Sequence, residues 1–317
     1  MKKITFLFFL FSLSKLSGQR IEKFYDYNHK ESTVENARFY SVKLKTDSGW
    51  FRQDYYIQDL KLQMRGTYED SSLKIGNGQF IYVYSNQKIK QIGKMIHGKK
   101  EGIWLTFHPN GYLSDSTVYK SGNPIGVSFG WHDNGVLRDS TKYEPDGRST
   151  KVIWFDNGVL SSAGRYNEKG KETGVWIYNR KDGKLAAKEI YEEGKIKNRI
   201  YYDLAGNPEK DTSNRDANAT FKGGVKELMN YLGKHLVFPE AYKIIHTNQV
   251  TILVNFTIDE TGVLKIIEHS IPFKTPFDNE VDRVLKKMPL WTPGISHNRN
   301  ITQYFNLPVT FINAKED

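Results

Sequence analysis

Two histidines, His108 and His132, stand at equivalent places in successive copies of a repeated segment, three residues before a turn glycine. Imidazoles one repeat apart could supply half of a metal site. The next copy places Phe155 there, and no carboxylate recurs to complete a ligand set. The pair therefore reads as position-equivalent surface residues, and no metal is expected. Asp115-Ser116-Thr117 and Asp139-Ser140-Thr141 set a carboxylate beside a hydroxyl, as a nucleophile and its orienter would be set. No histidine recurs at a fixed spacing to serve as the base, so alternating polar residues on the solvent face of a strand are the expectation. The sequence holds no G-x-x-x-x-G-K-S/T, no G-x-S-x-G and no H-E-x-x-H. It also has no Cys, hence no thiol nucleophile, disulfide or lipoprotein cysteine. The expectation is a binding protein without catalytic residues or cofactor; a hydrolase is the disfavoured alternative.

The elements that carry these residues repeat. Gly111-Tyr-Leu113…Tyr119, Gly135-Val-Leu137…Tyr143, Gly158-Val-Leu160…Tyr166 and Gly183-Lys-Leu185…Tyr191 share the form G-x-L-x5-Y, with glycines 24, 23 and 25 residues apart. Weaker copies begin at Leu60 and Gln87, and a truncated one at Gly206. Asn110, Asn134, Asn157 or Asp182 precedes each clear glycine, which predicts tight hairpin turns with positive φ at both central positions. Leu and Tyr, six residues apart, fall on one face of a strand. A second turn is predicted at Gly98-Lys-Lys-Glu-Gly102 and Gly170-Lys-Glu-Thr-Gly174, each leading into a strand through Trp104 or Trp176. Phe129 and Ile153 are read as standing in the tryptophan position of the two middle copies. Hairpins too small to bury a face alone should stack into one antiparallel ribbon.

Lys2 and Lys3, the apolar run 4–13 and Leu16-Ser17-Gly18 read as a signal peptide, residues 1–18, cleaved near Gly18. The run is shorter than the roughly 20 residues a spanning helix needs. An exported chain of the periplasm or cell envelope is expected, with an uncleaved anchor as the alternative. The formal charge of +10 lies mainly before residue 216. In an exported protein that favours solubility or an acidic envelope surface over nucleic acid. Residues 19–54 are polar and partly strand, 55–208 the repeats, and 209–219 a polar linker.

Residues 220–314 read as α-β-β-α-β. Val225, Leu228, Met229 and Leu232 recur at helical spacing after Gly223-Gly224. Pro239 is placed to start a short helix through Tyr242. Residues 249–258 alternate as a strand, Asp259-Glu-Thr-Gly262 turns, and 263–270 returns. A helix is predicted over 277–288, Trp291 in a proline-bounded loop, and a last strand over 300–311.

The G-K-x-x-G-x-W and N-G-x-L pieces resemble the MORN-type repeat, with Gly111, Gly135, Gly158, Gly183, Trp104 and Trp176 as its structural residues. Phe221-Lys-Gly-Gly224, Phe238-Pro239-Glu-Ala241, Met288-Pro-Leu-Trp291-Thr-Pro-Gly294 and Pro308-Val-Thr-Phe311 resemble the C-terminal domain of TonB-type periplasmic proteins, in the form common in Bacteroidetes-like bacteria. Together they imply a mainly β chain: an N-terminal hairpin ribbon followed by a small α+β domain. The TonB resemblance implies that an outer-membrane receptor or transporter adds a strand to the sheet edge, giving a part in TonB-dependent transport. The matching partner-binding positions are Phe238, Pro239, Ile301, Gln303, Phe305, Leu307, Val309 and Phe311. A full energy transducer has an uncleaved anchor meeting the motor proteins ExbB and ExbD, and a proline-rich spacer. With 10 Pro and a short apolar run, this chain is not expected to make that contact. The repeats would be a stiff spacer, or, in the alternative reading, a non-catalytic envelope scaffold binding glycan, membrane surface or protein.

Overall fold

A computed structural model describes residues 19–34, 36–239, 242 and 249–312. The predicted signal peptide lies outside the described residues, as does most of the short helix expected after Pro239. The chain is mainly β. Its first fifteen strands run β1 Arg20–Tyr25, β2 Phe39–Thr46, β3 Gly49–Tyr56, β4 Leu62–Tyr68, β5 Gly76–Val83, β6 Ile89–Ile96, β7 Lys99–Phe107 and β8 Leu113–Lys120. They continue as β9 Asn123–Trp131, β10 Leu137–Tyr143, β11 Ser149–Trp154, β12 Leu160–Tyr166, β13 Glu172–Asn179, β14 Leu185–Glu192 and β15 Lys195–Tyr201. Each pairs only with its sequence neighbours, in one antiparallel sheet ordered β1 to β15. The hairpin ribbon thus begins at Arg20, well before the predicted start of the repeats.

The two long margins of this ribbon use different turns. Along one margin lie the Asn-Gly turns. There Gly111, Gly135, Gly158 and Gly183 have φ of 93°, 85°, 80° and 87°, while the preceding Asn or Asp does not take positive φ. Gly111 N–H bonds to the His108 carbonyl at 2.8 Å, and His108 N–H to the Tyr112 carbonyl at 2.8 Å. This is a type I turn closed by a left-handed glycine, so the expectation of positive φ at both positions fails here. The asparagine helps differently: Asn110 Oδ1 accepts the Tyr112 N–H at 3.0 Å, and its Nδ2 donates to the Asp133 carbonyl of the next turn at 2.7 Å. Asn134 and Asn157 repeat this bond to Asp156 and Lys181. The doubly positive turns lie on the opposite margin, at His97-Gly98, Ser121-Gly122 and Glu193-Gly194. Gly102 lies inside β7, so 98–102 is not a turn.

Trp104 and Trp176 are 2 % and 3 % exposed because a glycine on the preceding strand makes room. A Cβ on Gly93 would lie 2.2 Å from Trp104, and one on Gly164 would lie 1.9 Å from Trp176. Register corrects the middle copies. Trp104 opposes Thr117, Ser128 opposes Thr141, and Thr141 opposes Lys151. Ser128 and Lys151, not Phe129 and Ile153, hold the tryptophan position. Phe129 faces the other way, 40 % exposed.

The rest of the chain forms helix α1 Gly224–His235, strands β16 Gln249–Ile258 and β17 Leu264–Ile271, helix α2 Thr275–Lys286, the short strands β18 Gly294–Ser296 and β19 Arg299–Ile301, and β20 Gln303–Ile312. Three strands pair in the order β17-β16-β20, and β18-β19 is a separate hairpin. The helices cover one sheet face, burying Leu228, Leu232, Phe277, Val281, Val284 and Leu285 against Ile252, Val254, Phe256, Leu307, Val309 and Phe311. The last strand predicted over 300–311 is therefore split, with a break at Thr302.

This C-terminal unit is not held at the ribbon's end, as a spacer would hold it; it lies along the Asn-Gly margin. Leu253 and Ile271 pack against Phe39 and Tyr56. Arg38, 8 % exposed, donates to the Pro272 carbonyl at 2.6 Å, and burial lowers its guanidinium to about 10. Lys90 pairs with Glu268 at 2.9 Å and Lys265 with Asp133. At the other end the β18-β19 tip enters the ribbon. His297 stacks on Tyr178 at 3.6 Å, and Arg299 donates to the carbonyls of Ser161 (2.7 Å) and Asn179. His297 and Asn298 have φ of 53° and 57°. Non-glycine residues in that region cost roughly 1–2 kcal/mol each, a strain offset by these contacts. Within 209–219, Ala217 bridges Ile295 and Arg215 bonds Glu209 at 2.6 Å.

Candidate functional site

The site is the outer edge of β20. All ten of its residues pair with β16 in unbroken register, from Gln303↔Ile258 to Ile312↔Gln249. Its other side meets no strand among the described residues. Pro308 sits mid-strand. It has no N–H, so it fits an unbroken ladder only where that N–H would point away from β16. Backbone groups alternate along a strand. Tyr304, Asn306, Thr310 and Ile312 therefore offer N–H and C=O outward, and Pro308 offers a carbonyl alone.

Side chains alternate as well. Leu307, Val309 and Phe311 are buried and Phe305 half-buried, all on the core side. Tyr304 and Ile312 are 74 % and 63 % exposed, with Asn306, Pro308 and Thr310 between them on the open face. Of the residues expected to bind a partner, the odd-numbered β20 set thus packs the core. Phe238 is half-buried, its ring 5.3 Å from Phe277 and 6.4 Å from Phe311. Pro239 is half-buried beside it. Ile301 pairs with Gly294 in β19. Gln303 closes one end of the edge, its Oε1 accepting the Ala219 N–H at 2.5 Å and its Nε2 donating to Asn218 at 3.1 Å. Tyr304, Asn306, Pro308, Thr310 and Ile312 were not singled out from sequence, although a proline inside an alternating strand already marked an edge.

Among the described residues the two helices leave this edge open. α2 covers β17, where His269 lies between Asp278 (3.5 Å) and Asp282 (2.8 Å). Burial pulls the His269 imidazole down, but the two carboxylates outweigh it and hold it up at about 9. α1 packs beside α2: Tyr231 donates to the Val284 carbonyl at 3.4 Å, and Arg283 to that of His235 at 2.6 Å. That places α1 on the β20 side. At 100° per residue, Val225 and Met229 turn away from Tyr231 and so from α2, toward the open edge. They are 73 % and 48 % exposed.

Charge separates this edge from the others. β20, QYFNLPVTFI, has no charged residue. β1 carries Arg20, Glu22 and Lys23, and β15 carries Lys195, Lys197 and Arg199. β17 carries Lys265 and Glu268, both paired to the ribbon. Charge on an edge strand opposes strand addition, and its absence permits it.

The histidine pair has a structural task. His108 Nε2 meets the Trp131 carbonyl at 2.8 Å, and His132 Nε2 meets that of Trp154 at 2.9 Å. Each ties one turn to the next. No group of three potential metal-ligating side chains occurs among the described residues. Asp115 and Asp139 correct the sequence reading: they share the face of Trp104, with Thr117 and Thr141 only 5 % and 6 % exposed.

No protein-family model matches the chain, and no curated protein matches it.

Proposed function

We propose that this chain is a TonB-like periplasmic protein whose C-terminal unit binds an extended segment of an outer-membrane receptor or transporter. The segment adds as a strand to β20, which gives the chain a part in TonB-dependent transport. The observation that carries the reading is the uncharged edge of β20, which meets no strand among the described residues, where the other described sheet edges are charged or covered. Main-chain bonds to Tyr304, Asn306, Thr310 and Ile312 supply affinity. Alternate side chains of the added strand would meet Val225 and Met229 on one face and lie beside Tyr304 and Ile312 on the other. The ribbon braces this unit from the side opposite the open edge.

Thr310→Pro tests the reading. It removes one outward N–H and leaves the backbone bonds to β16 intact, at the loss of the hydroxyl contact between Thr310 and Thr251. Hydrogen exchange on the wild type should show the amides of Tyr304, Asn306, Thr310 and Ile312 slowing when a receptor's extended segment is added. The variant should lose that protection and bind about tenfold more weakly, the worth of one backbone bond and its register. Protection confined to the ribbon would overturn the proposal.

A further inference from the structure

The ribbon is a single layer of strands, so each of its two faces must find its own cover or meet water. The C-terminal unit reaches it from one side. His297 meets Tyr178 and Glu189, and both share the face of Trp176. The opposite face is apolar. An unbroken register row crosses it from Ile81 on β5 to Ile200 on β15, through Leu105, Phe129, Val152 and Ile177. Lys188 is the one charge in that row.

A second row lies toward the Asn-Gly margin. It pairs Phe107 with Leu113, Trp131 with Leu137, and Trp154 with Leu160, all half-buried. A third row lies toward the other margin. It holds Ile103 and Val175, 61 % and 48 % exposed, with Ile125 and Ile190 exposed beside them. Between these stand the exposed Lys142 and Arg165, joined in register through Thr150. An apolar field of this width on a protein surface marks an interaction site.

We propose that this face packs against the same face of a second copy of the chain. Its size fits. From β5 to β15 the field is roughly 50 Å long, at ~4.8 Å per strand. It offers about twenty apolar side chains, close to the roughly 20–30 residues a standard interface takes from each partner. A cover for it must be an apolar sheet of equal length, and the chain carries one. Two such faces bury each other about 10 Å apart, with strands crossing near an angle of roughly 30°. Charge selects the two-fold axis. An axis along the strands would lay third row on third row and crowd the Lys142 and Arg165 side chains of both copies. An axis across the strands exchanges the margins instead. Each strand then lies over its own copy, and Lys142 and Arg165 lie over Trp131 and Trp154 of the second chain, where a cation gains from an indole face. The contact is self-complementary and closed, so it stops at two. It leaves β20 free and does not rest on the strand-addition reading.

The test is sedimentation of the mature chain across the micromolar range, with circular dichroism as a control for folding. A dimer is expected. Phe129→Lys, at the centre of the field, should weaken it about tenfold or more. Arg165→Ala, at an exposed position, should weaken it about threefold through the lost contact with tryptophan. Lys234→Ala, on α1, should leave it unchanged. The chain has no Cys, so Ser140→Cys adds a single thiol in the central row, where the axis sets it opposite its own copy. A short bismaleimide should join two chains through it. A monomer throughout the range overturns the proposal. So does a dimer that both weakening variants retain, or one that gives no Ser140→Cys cross-link, as pairing of two β20 edges would. Binding of phospholipid vesicles by a chain that stays monomeric overturns it as well.

Discussion

β15 ends the ribbon and β20 ends the C-terminal unit, and these two terminal strands are opposite in kind. β15 alternates Lys195, Lys197 and Arg199 along its length, and the chain folds back over its end through Tyr202↔Pro208 and Glu209 N–H to the Tyr201 carbonyl. β20 has no charge and no strand beside it among the described residues. A repeat that grows by adding hairpins needs a stop, and lysine on the last strand provides one. The C-terminal unit has three strands and could also grow, yet nothing in β20 prevents it. The difference teaches that openness here is local to one strand and does not come from the fold class.

The charge on β15 is also structural, and removing it is the strongest way to break the comparison. Glu189 is fully buried, bonded by Arg199 at 2.8 Å and by the Tyr191 hydroxyl at 2.5 Å, with His297 at 3.0 Å. Arg199→Met should cost about 3 kcal/mol, read from the denaturant midpoint, because it strips a buried carboxylate of its nearest cation. If the cost is under about 1 kcal/mol, the β15 charge serves only to block the edge.

The C-terminal unit has its own charge anchor in His269, and pH separates the two regions. Its folded value of about 9 lies above the unfolded value of about 6.5. The stabilisation is therefore complete below pH 6.5 and is lost as pH rises through 9. Discounted for partial exposure, it amounts to about 2 kcal/mol. Melting followed by a probe in this unit should fall across that window, and His269→Gln should flatten the fall.

Turn chemistry gives a smaller effect within the ribbon. Gln87 takes φ of 68° where the clear copies have glycine. Gln87→Gly should raise stability by about 1 kcal/mol, visible as a higher melting temperature. The smallest stability change is expected on β20 itself. Asn306→Lys places a charge on an exposed face and should shift stability by less than about 0.5 kcal/mol. It makes β20 resemble β15, so partner binding should fall while the fold stays intact. A variant that keeps full affinity would show that charge does not distinguish the two edges.

Much of the ribbon was legible in local spacing. The asparagine and glycine of each repeat mark the turns, since a left-handed backbone favours glycine and the Asn side chain caps it. The strand at 249–258 and the two helices were visible as periods of two and 3.6. The β18-β19 hairpin was not: His297 and Asn298 carry no turn glycine, and their conformation is held by contacts with Tyr178, Tyr202 and Glu189 far away in the chain. The placement of Asp115 and Asp139 was legible in period: each lies four residues before the repeat tyrosine, Tyr119 or Tyr143, in unbroken register and so on the tyrosine's face. Their residue types pointed the other way, because Asp, Ser and Thr are mostly exposed, and here the tertiary packing overrode that tendency.

By itself, then, the sequence determined the repeat period, the Asn-Gly turn positions, the order of the two C-terminal helices and three long strands and the lack of charge on the last strand, because each is a matter of neighbours along the chain. Only the tertiary structure decided that β20 is the open edge, that its odd residues face the core, and that the C-terminal unit lies along the Asn-Gly margin. Those outcomes depend on strand register and on pairs such as Arg38 with Pro272 and Arg299 with Ser161. Residues so far apart meet only when desolvation and hydrogen bonding make one packing of the two sheets more favourable than its rivals.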